Sequence, residues 1–96
     1  MSLRELREKY KYDEEYIYYG LVLDLTYYLK QFMIEKGVSE DHLAQKMGVS
    51  TEYIRNLLSG ENISLETVAK ILSVLQVDGG IKIIDREKES STFVSM

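Results

Sequence analysis

Residues 39–60 read SEDHLAQKMGVSTEYIRNLLSG, and the spacing within them decides the fold. Leu43 and Met47 lie four apart with Ala44 beside Leu43, which marks one inward side of a helix. Gly48 follows where that helix must stop, because glycine enters the left-handed conformation without a steric cost. Val49 is apolar and plugs the corner. Ser50 then offers its side-chain oxygen to an orphan amide of a second helix. Val49, Ile54 and Leu57 face inward along that helix with Leu58 beside them, and Ser59-Gly60 ends it. Ala44 is small, so the second helix passes close to the first there.

Upstream, Asp13 caps a long helix that runs to about Lys36 and ends at Gly37. Ile17, Leu21, Leu25, Tyr28, Leu29, Phe32 and Met33 recur three or four apart and are expected to face the core. Tyr18, Tyr19, Val22 and Tyr27 widen the apolar surface beyond one stripe. Seven of the eight tyrosines fall between Tyr10 and Tyr28, covering the core or forming a dimer contact. Gly20 costs this helix about 1 kcal/mol relative to Ala, and marks close packing or a kink. Ahead of it, Ser2 and Glu5 fit a capping box for a short helix through about Tyr10. Arg4, Arg7, Lys9 and Lys11 make that arm positive. Val38 staples and Ser39 caps the first motif helix, with Glu40 and Asp41 favoured in its first turn by the helix dipole.

Downstream, Ser64 caps a helix from Leu65 to about Gln76. Leu65, Val68, Ala69, Leu72 and Leu75 form its core stripe, widened by Ile71. Asp78-Gly79-Gly80 turns the chain into Ile81–Asp85, which reads as a short strand. No second strand is evident, and a lone strand leaves backbone groups unpaired. It therefore either pairs with the same strand of a second subunit about a two-fold axis or lies on its own domain. Residues 86–96 are polar and mixed in charge, expected to be disordered or weakly docked. The organisation is thus a basic arm over 1–12, a helix-turn-helix domain over 13–77, a strand over 78–85 and a polar tail over 86–96.

Ninety-six residues make one small domain. There is no cysteine, so disulfides and thiolate metal sites are excluded, in keeping with a cytoplasmic location. His42 is the only histidine, with no second ligand near it in sequence, so no metal or cofactor is expected. No apolar run approaches the ~20 residues needed to span a bilayer, and the charged start is not a secretory signal. With no phosphate loop and no paired catalytic carboxylates, an enzyme is not expected. The net charge is −4. Between Leu21 and Val77 five basic residues face seven acidic ones, a net −2. That is unusual for a nucleic-acid domain and implies modest affinity per subunit.

LAQKMGVSTEYIRNLLSG, continued by Asn62-Ile-Ser-Leu-Glu-Thr-Val-Ala-Lys-Ile-Leu over 62–72, resembles the Cro/repressor-like (XRE-type) helix-turn-helix proteins, over about three-fifths of the chain. The resemblance implies an all-α, five-helix DNA-binding bundle with a short C-terminal β-strand. It places Thr51, Glu52, Arg55, Asn56 and Ser59 at groove-facing positions of the second motif helix, whose N-terminal part enters the major groove. Glu52 would accept from cytosine, Asn56 pair with adenine, Arg55 meet guanine or phosphate, and Thr51 touch a thymine methyl. Tyr53 and Asn62 are candidates for the DNA backbone. The family often has Gln, a phosphate contact, where this chain has Glu40. That contact passes to Gln45 and Lys46, or the docking orientation differs. The expected function is a sequence-specific transcriptional regulator that binds double-stranded DNA as a homodimer. The alternative is an antitoxin or other protein-binding module with a toxin partner.

Overall fold

The computed structural model describes residues 2–85 and 90–94. Five helices, α1 (Leu3–Tyr10), α2 (Glu14–Lys36), α3 (Glu40–Met47), α4 (Thr51–Leu58) and α5 (Leu65–Leu75), precede two strands, β1 (Ile81–Asp85) and β2 (Ser90–Val94). Every helix starts at a polar cap. Ser2, Asp13, Ser39, Ser50 and Ser64 each accept backbone N–H donors from the first turn that follows, satisfying amides that have no intrahelical partner. None of the helices is long and apolar enough to cross a membrane among the described residues.

The core lies between α3, α4, α5 and the C-terminal half of α2. Leu29, Met33, Leu43, Ala44, Ile54, Leu57, Leu58, Val68, Ile71 and Leu75 form one buried cluster. Gly48 takes φ 70° and closes α3, and Val49 N–H donates to Ala44 O at 3.0 Å across the corner. After α4, Gly60 sits at φ 101°, and a Cβ there would come within 2.8 Å of Val22 Cγ1. The loop leaving α4 is therefore pressed onto α2, and only glycine permits both the backbone angle and the approach.

The burial of α2 differs from its apolar stripe. Val22, Thr26, Leu29 and Met33 are buried, whereas Ile17, Leu21 and Tyr28 are 43%, 61% and 58% exposed. Apolar residues occur on every side of α2, so periodicity alone does not fix its inward face. The partners fix it: α3, α4 and α5 span 8, 8 and 11 residues against the 23 of α2, and cover only its second half. Thr26 is tolerated in the core because its Oγ1 donates to Val22 O at 3.0 Å. In α5, Leu65 and Ala69 turn outward, contrary to the expected stripe, while Val68, Ile71 and Leu75 are buried. That helix stops at Leu75 with Gln76 in the left-handed cap.

The C-terminal strand forms as expected, but not alone. β1 pairs antiparallel with β2, Ile81 opposite Val94 and Asp85 opposite Ser90. The expectation that the chain lacks a second strand is corrected: Ser90–Val94 supplies a ladder partner within the chain, so β1 does not need a second subunit for one. The tail expectation for residues 86–89 and 95–96 lies outside the described residues.

Gly60→Ala forces a left-handed alanine against Val22. It should destabilise the fold by about 1–3 kcal/mol, read as a lower midpoint in thermal unfolding followed by circular dichroism.

Candidate nucleic-acid interface

The α3–α4 corner aims one face of α4 outward. Ser50 Oγ accepts the Tyr53 N–H at 3.0 Å and fixes the helix start. Ile54, Leu57 and Leu58 are buried, so at 100° per residue Glu52 and Asn56 form the outer crest. Arg55 and Ser59 run along one flank and Tyr53 along the other. All five of these polar side chains are exposed.

Thr51 is only half-buried rather than free on that face, and its Oγ1 donates to Asp41 Oδ1 at 2.7 Å. Arg55 Nε lies 3.7 Å from Glu40 Oε2. The acidic first turn of α3 thus engages two of the five groove-facing candidates. Both partners of the Arg55–Glu40 pair are well exposed, so the contact contributes on the order of 0–1 kcal/mol and gives way easily to a stronger acceptor. Ser59 Oγ donates to Asn56 O at 2.8 Å and finishes the C-terminus of α4.

The remaining candidates sort to the sides. Arg55 and Ser59 share an open groove with Lys30, Ile34 and Glu40. On the opposite flank, Lys46 and Tyr53 share a second groove with Lys70 and Glu66. Gln45 is exposed on α3, and Asn62 is exposed in the loop after α4 with φ 52°. The left-handed region suits asparagine better than most residues. Lys30 and Lys70 were not among the sequence candidates. Lys30 directly follows the buried Leu29, and Lys70 sits 3.6 Å from Glu66 one turn away, so each reads locally as an ordinary surface charge. Among the described residues no group of His, Cys, Asp and Glu could hold a metal ion.

Two short capped helices at a glycine corner, the second offering a polar crest between lysine-bearing flanks, define a DNA-binding class of protein. The family profile described as Helix-turn-helix matches residues 29–81. That is more than half of the chain, which belongs to this DNA-binding family, of the Cro/repressor (XRE) type. No curated protein and no solved structure matches it significantly.

Replacing Glu40 by Gln removes a negative charge beside Arg55. It should strengthen duplex binding by roughly three- to tenfold at low salt with little change in thermal stability, as measured by fluorescence anisotropy alongside a melt.

Proposed function

We propose that the protein is a sequence-specific transcriptional regulator that acts as a homodimer on double-stranded DNA and reads the major groove with α4. The observation that carries this is the arrangement around α4: Glu52 and Asn56 on the crest, Arg55 beside them, and lysines on both flanks. A helix in the major groove has a phosphate strand on either side. Lys30 suits one strand, and Lys46 with Lys70 suits the other, assisted by Tyr53. On the base edges, Asn56 pairs with adenine N6/N7, Arg55 leaves Glu40 for guanine O6/N7 or a phosphate, and Glu52 accepts from cytosine N4. Thr51 and Ser59 border this crest, and Gln45 and Asn62 flank it as backbone contacts. The rigid supports are the Gly48 corner and the Gly60 loop against Val22.

A second reading, an antitoxin that holds a toxin, draws on the exposed tyrosines and leucines of α1 and α2. Tyr is a favoured interface residue because its ring is apolar and its tip remains polar. Co-purification of a single small partner with the tagged full chain from its native cell supports that reading.

Selection of duplexes from a random library at near-physiological salt should recover one two-fold-related motif. Uniformly weak, sequence-indifferent binding sinks the proposal. Arg55→Ala and Asn56→Ala should each cost about 1–3 kcal/mol and relax preference at one base pair. Lys30→Ala and Lys70→Ala should instead weaken all duplexes alike, each reducing the slope of log K against log salt by about one.

A further inference from the structure

Among the described residues, no other element packs over the first two turns of α2. From Glu14 to Leu21 no side chain is buried. Gly20 lies inside this helix, at its seventh position, and a Cβ there would meet nothing within 4 Å. Packing inside one chain therefore gives no reason for a helix-weakening glycine at that position. Its neighbours on the same face are Tyr16, Leu23 and Tyr27, which are 40%, 67% and 57% exposed. The intervals 16–20–23–27 are four, three and four residues, the spacing of a seam between two helices, and Gly20 is the notch in it. A helix that is apolar on all sides is expected to be covered on all sides.

We infer that this face pairs with the same face of a second copy, the two α2 helices crossing antiparallel at Gly20. The inference deepens the regulator reading and rests on its two-fold symmetry. Self-complementarity supports a second copy as the occupant. An antiparallel crossing at Gly20 sets Leu23 of one copy beside Ile17 of the partner, and Tyr27 beside the partner's Asp13, so apolar meets apolar and a tyrosine tip meets a carboxylate. At 40%, 67% and 57% exposure, Tyr16, Leu23 and Tyr27 offer about 300 Å² per copy, the centre of an interface whose remaining area toward the ~800 Å² of a stable dimer comes from the exposed residues that flank them. The register also suits the DNA. Lys30, which borders the α4 flank, lies ten residues from the crossing point. Its two copies are then about 30 Å apart along the helices at 1.5 Å per residue, close to the ~34 Å between successive major grooves.

Sedimentation velocity of the full chain tests this together with two variants at exposed positions. The wild type should sediment at twice the 11.2 kDa chain mass. Leu23→Glu should raise the dimer dissociation constant at least about tenfold, because it places an unpaired charge in the seam. Gly20→Leu should fill the notch and weaken the dimer while raising the melting temperature of the dilute monomer, since leucine favours helix. Loss of the dimer with a rise in monomer stability is an outcome that a purely structural role for Gly20 does not produce. A monomeric wild type overturns the inference, and so does a dimer indifferent to both variants. Binding of the Leu23→Glu monomer to a single half-site duplex separates the two claims. If the variants behave as stated but no form binds any duplex, the seam stands and the regulator reading fails.

Discussion

Ile54 and Leu57 of α4 share one buried cluster with Leu43 and Ala44 of α3, and the Val49 amide donating to Ala44 O draws the corner tight. A short helix of eight residues is unstable alone, so α4 exists because its apolar stripe is seated on α3 and α2. The small side chain of Ala44 permits the close passage, and left-handed Gly48 sets the angle. Once those are fixed, the direction of every polar residue on α4 follows from helical geometry. Gly60 against Val22 anchors the far end, so the crest is held at both ends by the scaffold rather than by its own side chains.

The length mismatch within the bundle shapes the rest of the surface. α2 is more than twice as long as α3 or α4, and its core contacts begin only at Val22. The two helices therefore cover one half of it, where the family profile begins at residue 29. The segment before that point carries most of the exposed tyrosines. The molecule is in this sense two surfaces on one rod, a polar face at one end and an apolar face at the other.

Much of this was legible in the sequence because its determinants are local. Ser2, Asp13, Ser39, Ser50 and Ser64 cap their helices through residues two or three positions on, and Gly37 and Gly48 stop theirs in place. The inward face of α4 was equally readable, since Ile54, Leu57 and Leu58 leave one answer. The inward face of α2 was not, because Ile17, Leu21 and Tyr28 compete with Val22, Thr26 and Met33, and the choice belongs to the elements packed against it. The β1–β2 pairing was hidden although it is local, Asp85 lying opposite Ser90 only five positions on, because Ser-Ser-Thr-Phe-Val lacks apolar alternation and no Gly or Asn marks a turn between the strands. In the candidate interface, outward positions were readable, whereas the Arg55–Glu40 and Thr51–Asp41 contacts span fifteen and ten residues of chain and depend on how α3 and α4 meet.

Those last two contacts bear on how such a molecule finds its target in a cell. Random chromosomal sequence competes for any DNA-binding protein chiefly through generic attraction to phosphate. On the proposed reading, the contacts themselves are too weak to hold Arg55 back, but the Glu40 and Asp41 carboxylates beside it repel phosphate, so an encounter with indifferent duplex gains little. On that reading few copies would be sequestered along the genome, and the unbound pool available to the correct locus would stay large even when the protein is scarce.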